Sequence, residues 1–150
     1  MTPSLRAPKF AILKSCTECH RCQARITVSA LMVPSYEECE EGEWSEVGDS
    51  ALLMYVEAMD EVARSAWLSS APGIRAVESD TAGFVYFGNV CECGELQGDW
   101  FLGKPGGPFF PQNSTDLEAI AVEWIEAPLS ARASASRSSW TDDLIARSAA

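Results

Sequence analysis

Glu18-Cys19-His20-Arg21-Cys22 (residues 18–22) and Asn89-Val90-Cys91-Glu92-Cys93-Gly94 (residues 89–94) decide how this chain is read. Each stretch carries two thiols at knuckle spacing. A C-x-x-C turn aims both side chains the same way, so two sulfurs can reach one ion. The C-x-C pair is one residue tighter. The glycine after it permits positive φ and lets backbone N–H groups turn towards the sulfurs. Zinc takes four tetrahedral ligands, and thiolates are its commonest structural ones. The two pairs therefore predict one structural zinc ion held by Cys19, Cys22, Cys91 and Cys93.

Each pair adjoins a predicted strand. Arg25 to Met32 alternates polar and apolar residues, with Ile26, Val28, Ala30 and Met32 on one side, until Pro34 ends it. Thr81 to Val90 is rich in aromatic and β-branched residues and leads into Cys91. Two knuckles at strand ends, joined by sheet pairing, make a zinc ribbon. The 68 residues from Gln23 to Val90 form a long insertion between them. Loop-closure entropy grows only logarithmically, so that length is no objection. The insertion carries a buried strand at Ala51–Val56 and a helix at Asp60–Ser69, with Asp60 and Glu61 at its N-terminal end and Ala71-Pro72-Gly73 beyond it.

The remaining segments read more loosely. Phe10 to Lys14 is a short apolar run, and residues 35–50 are an acidic loop. The segment from Gly94 to Gln112 starts with one helical turn and becomes irregular through its Gly and Pro residues. Leu117 to Glu126 reads as a strand, because Ile120, Val122 and Trp124 alternate before Pro128. Residues 129–139 are Ser/Ala-rich and read as a flexible linker, followed by a short helix that Thr141 caps. The expected fold class is α+β: a small antiparallel sheet with a ribbon-like four-cysteine site and one or two helices. Residues 1–128 form the domain and 129–150 the linker and last helix.

The 150 residues suffice for one domain, and a 47% apolar content can build a core. No stretch reaches the roughly 18 apolar residues that span a bilayer. The N-terminal apolar patch, Phe10 to Leu13, is too short for a secretory signal, so the expected compartment is the cytoplasm. There, six cysteines read as metal ligands or redox groups; three disulfides are the alternative for a secreted chain. Two other ligand sets compete. Cys16, Cys19 and Cys22 have an iron–sulfur-like spacing, and His20 can replace a cysteine. Cys16 and Cys39 are otherwise ordinary thiols.

Taken together, Glu18 to Cys22 and the later stretches resemble a group of small bacterial zinc-ribbon proteins. The shared pattern is E-C-x-x-C, a strand, then N-x-C-x-x-C-G-x-x-Q-G-D and P-G-G-x-F-F-P. Here the second part runs from Asn89 to Asp99 and the third from Pro105 to Pro111, with one residue fewer between Cys91 and Cys93. The resemblance covers about a third of the chain and implies the metal site, but no activity. Gln97 and Asp99 within it are expected to brace the second knuckle as outer-shell partners.

The net charge is −11. Residues 1–25 total +4, so the rest totals −15, and no base occurs between Ile26 and Ala63. Such a surface repels phosphate backbones and makes general nucleic-acid binding unfavourable. Lys14, Arg21 and Arg25 offset the thiolates instead. Within the acidic stretch, Tyr36 and Trp44 interrupt Glu37, Glu38, Glu40, Glu41 and Glu43. Aromatics among acids suit docking of a basic protein. The expected function is an acidic, zinc-stabilised protein-binding module, one form of which is an immunity protein neutralising a basic bacterial toxin. The alternatives are a nucleic-acid accessory ribbon using Lys9, Lys14, Arg21 and Arg25, or an enzyme built on Cys16 and His20. A non-enzyme is preferred, because four cysteines close the zinc site and common catalytic motifs are missing.

Overall fold

Phe10, Ala11, Ile12 and Leu13 are all fully buried. A strand shielded at consecutive positions must be covered on both faces, and that strand organises the fold. The computed structural model describes residues 1–148. It opens with β1 (Leu5–Ala7), β2 (Phe10–Glu18), β3 (Arg25–Val33), β4 (Tyr36–Glu40), β5 (Glu43–Val47) and β6 (Ala51–Met59). Then follow α1 (Glu61–Ser70), β7 (Ile74–Ser79), β8 (Phe84–Val90), β9 (Leu96–Gln97) and α2 (Asp99–Gly103). The chain continues through α3 (Ser114–Glu118), β10 (Ala121–Ile125), β11 (Leu129–Ser136) and α4 (Ser139–Ser148).

The fold is α+β, and every described strand pair is antiparallel. An eight-stranded sheet has the order β10-β2-β3-β6-β11-β1-β4-β5, and a second sheet has the order β7-β8-β9. The small sheet expected to join the two knuckle strands is not formed: β3 lies in the eight-stranded sheet and β8 in the three-stranded one. Residues along β2 alternate between two cores. Phe10 and Ile12 pack with Ala63, Trp67 and Ile74 on one side. Ala11 and Leu13 pack with Leu102, Phe109, Trp140 and Leu144 on the other. α1 therefore covers one face, while α2 and α4 cover the opposite one.

Local signals explain the helix that positions the first core. Asp60 Oδ2 accepts from the Ala63 N–H at 3.1 Å, an N-cap contact. Its other oxygen accepts from the Ser130 N–H at 2.8 Å, tying the helix start to β11. On the opposite face, Gly107 allows the Pro-Gly-rich segment to lie on α2. A Cβ there would sit 2.6 Å from the carbonyl oxygens of Phe101 and Leu102, so any larger residue forces the backbones apart.

Several expectations need correction. The acidic loop at 35–50 is the β4–β5 hairpin. Residues 129–136 are not a flexible linker: β11 pairs with β6 and β1 inside the main sheet, so the proposed division at residue 128 cuts through that sheet. The turn expected near Gly94 is β9 followed by α2, and Leu117 lies in α3, with the strand beginning at Ala121. α4 starts at Ser139, which puts Thr141 inside it, where its hydroxyl donates to the Ser138 carbonyl. β1 and β7 have no counterpart in the sequence reading.

Candidate metal centre

The two thiol pairs occupy the tips of two hairpins. β2 ends at Glu18 and β3 begins at Arg25, so Cys19 and Cys22 lie in the connecting turn. That turn closes through the Gln23 N–H donating to the Cys19 carbonyl at 2.9 Å, with Gln23 at φ 61°. Likewise Cys91 and Cys93 lie between β8 and β9. Gly94, at φ 93°, supplies the left-handed residue that the turn requires.

A buried amide pairs the hairpins. Asn89 Oδ1 accepts from the Ser29 N–H at 2.8 Å, and its Nδ2 donates to the Ser29 carbonyl at 3.0 Å. β6 pairs with β3 only at Leu31–Val33, so this side chain substitutes for a neighbouring strand at Ser29. The Ser29 hydroxyl accepts from Trp67 Nε1–H at 3.0 Å and donates to the Leu13 carbonyl at 2.8 Å. β2, β3, α1 and β8 thus meet at one network. Removing the Asn89 amide would leave two buried backbone groups without partners, at about 1–3 kcal/mol each.

The result brings distant sulfurs together. Cys19 Sγ lies 3.7 Å from Cys93 Sγ, and Cys22 Sγ lies 3.7 Å from Cys91 Sγ. All four sulfurs lie within 4.8 Å of one another, an arrangement that could hold a metal ion. Cys16 and Cys39 lie outside the group. Gln97 Nε2 donates to Cys19 Sγ at 3.3 Å and to the Glu95 carbonyl at 3.1 Å. Gln97 Oε1 lies 3.2 Å from His20 Nδ1, and Glu95 Oε1 lies 3.3 Å from His20 Nε2. Both imidazole nitrogens therefore face this bracing shell. Arg21 Nη1 donates to the second Glu95 oxygen at 3.3 Å.

The thiols do not titrate alike. The Cys22 backbone N–H, opposed by burial and helped by the Arg21 N–H and the neighbouring sulfurs, brings Cys19 down to about 6. For Cys91 the Cys93 backbone N–H acts downward. Burial and the side chains of Cys93, Cys22 and Cys19 outweigh it and push the thiol up to about 12.

Asp99 departs from its expected role. Its carboxylate accepts from the Tyr55 N–H at 2.8 Å, and its own N–H donates to the Tyr86 hydroxyl at 3.1 Å. It braces β6 and β8, not the second knuckle. Tyr36 is only 3% exposed and belongs to the core, so it cannot belong to a contact surface. Glu37, Glu38, Glu40, Glu41, Glu43 and Trp44 do lie on the β4–β5 hairpin. Sequence reading missed the role of Asn89, although it sits in the quoted stretch, and it missed Tyr55, whose signal is a bulge formed with a distant strand.

No family model matches the chain, and neither a curated protein nor a solved structure matches it. No helix among the described residues is long and apolar enough to cross a membrane.

Proposed function

We propose that the four sulfurs hold one zinc ion and that the braced chain is a protein-binding module, presenting the acidic β4–β5 hairpin to a basic protein. The zinc reading is supported by the donor set and its spacing. A regular tetrahedron with Zn–S distances near 2.3 Å has S···S edges of about 3.8 Å. Two cross-pair separations here are 3.7 Å. Four thiolates fill the coordination sphere, so the ion is structural and fixes the two hairpin tips in a ribbon-like arrangement. Such a site, with two further free thiols, suits the reducing cytoplasm.

One observation carries the binding reading: the hairpin is built against its own stability. Glu37 faces Glu46 and Glu40 faces Glu43 across the ladder, and like charges directly opposite each other repel. Arg6 relieves only the first pair. Its guanidinium donates to Glu37 at 3.1 Å and lies 4.1 Å from the centroid of the Trp44 ring. That contact is an intramolecular example of the cation that this surface accepts. β5 is also the outer strand of the sheet, so the hairpin edge is free to meet a partner.

A basic nuclease toxin neutralised by an immunity protein is a concrete form of this pairing, with charge steering fast association. The test is capture from a lysate of the source cells at low salt. Immobilised wild-type chain is compared with a variant carrying Glu37→Lys, Glu38→Lys, Glu40→Lys and Glu41→Lys. The wild type should retain a basic protein that salt elutes, and the variant should not. Equal capture by both chains would reject the reading.

A further inference from the structure

A second surface lies beyond the hairpin, in the cleft between the β7–β9 sheet and α2. The cleft has a volume of about 340 Å³. Tyr55, Tyr86 and Asp99 line it, together with Trp100 and Phe101. These last two are large apolar side chains left 55% and 52% exposed. Glu78, Asp80 and Glu95 add carboxylates and His20 adds an imidazole; among the described residues, no lysine or arginine lines it.

The backbone is distorted to build this wall. Tyr55 sits inside β6 at φ 53°, a conformation that bulky residues rarely adopt. The ladder with β11 shifts register between Arg132 and Ser134, which releases the Tyr55 N–H from the strand pairing. That N–H goes to Asp99 Oδ2 instead. Strain of this kind persists where the surroundings enforce it and gathers at ligand sites. The Tyr55 ring meets the Tyr86 ring edge-on at 5.3 Å between centroids. At the rim, Lys104 Nζ already stands 5.1 Å from the Trp100 ring centroid and 5.2 Å from that of Phe101, so these rings do take a cation.

We propose that this cleft is a binding site for a lysine side chain presented by a partner polypeptide. Its ammonium would pair with Asp99, and its stem would lie along the exposed rings. Three features select this occupant. Aromatic rings beside carboxylates attract a cation and repel an anion. Asp99 has one oxygen committed to the Tyr55 N–H, which suits a point charge better than a guanidinium fork needing both oxygens. The exposed pair Trp100 and Phe101 gives a flanking chain apolar surface to cover, which a free amine would not use. Burial also raises the Asp99 carboxyl well above its ordinary range, as expected for an acid awaiting a counter-ion. This site does not depend on the hairpin reading.

The test is an NMR titration of the full-length, 15N-labelled chain as purified, at pH 8, above the range in which Asp99 keeps its proton. The probes are Nα-acetyl-lysine N-methylamide, its norleucine analogue and n-butylammonium. The lysine probe should shift the Tyr55 backbone amide and the Trp100 indole N–H, and should bind more tightly than n-butylammonium. The neutral norleucine probe should leave both signals in place. Asp99→Asn keeps an acceptor for Tyr55 but loses the charge, and should weaken binding about tenfold. Trp100→Ala removes an exposed side chain and should weaken it about threefold. The hairpin reversal variant should bind the lysine probe like the wild type. Equal shifts with norleucine, unchanged affinity in both cleft variants, or no shift with any probe would overturn the site. Tighter binding of n-butylammonium would assign the cleft to a free amine and overturn the lysine assignment.

Discussion

At Asp99, burial and a hydrogen bond pull in opposite directions. Burial raises the carboxyl and the Tyr55 N–H lowers it, and burial wins, taking it from 3.8 up to about 7. The linkage sign follows directly. Between about pH 4 and pH 7 the folded chain holds a proton that the unfolded chain has released, so this residue's contribution to stability falls as pH rises through that window. Asn at this position does not titrate and can still accept from Tyr55. The stability of Asp99→Asn relative to wild type should therefore grow between pH 5 and pH 8. Paired urea unfolding at the two pH values measures it. A difference that stays constant with pH would show that the carboxyl does not carry this cost. The neighbouring Tyr86 hydroxyl, pushed up to about 12 by burial, stays protonated throughout the range.

At the scale of elements, the β4–β5 hairpin shows local preference set aside. Its two-residue turn, Glu41-Gly42, has φ of 53° and 82°, the positive values that a type I′ turn demands. Asn is the usual first residue there because its short polar side chain tolerates the left-handed region, whereas Glu does not. Glu41→Asn should raise stability by about 0.5–1 kcal/mol in thermal or urea unfolding, since it relieves this strain and removes one of the clustered charges. A loss of stability would contradict the account of the turn. The same charge density explains why this stretch of sequence reads as a loop: Glu is a poor strand former, and the N-G or D-G signal of a tight hairpin is missing. β3 is readable from its start, where Ile26 and Val28 alternate with Arg25, Thr27 and Ser29 along the stretch that pairs with β2. α1 is readable because Asp60 caps it and Trp67 and Ala63 share its buried side. β11 is not readable. Ser130, Ser134, Ala135 and Ser136 lack strand propensity, and only pairing with β6 and β1, distant in sequence, makes them a strand.

For the whole molecule, the thiol pairs are legible because the chemistry of a four-thiolate site resides in the ligand residues and their local turns. What brings the pairs together is less legible, because it depends on the Asn89–Ser29 amide contact across 60 residues of sequence. The eight-stranded sheet is larger than the sequence suggests: β2, the end of β3 and the start of β6 are covered on both faces and show continuous burial in place of alternation, while β4, β5 and β11 carry few strand-forming apolar residues. In this architecture a zinc ion held by the four sulfurs, as proposed, would join two hairpin tips that the sheets already bring close and would reinforce the docking of one sheet on the other. Zinc-edge X-ray absorption on protein purified without added metal tests that claim most directly. The expected spectrum shows about one zinc per chain with four sulfur neighbours near 2.3 Å. A folded protein without a zinc edge, or a shell containing nitrogen or oxygen in place of any of the four sulfurs, would contradict it.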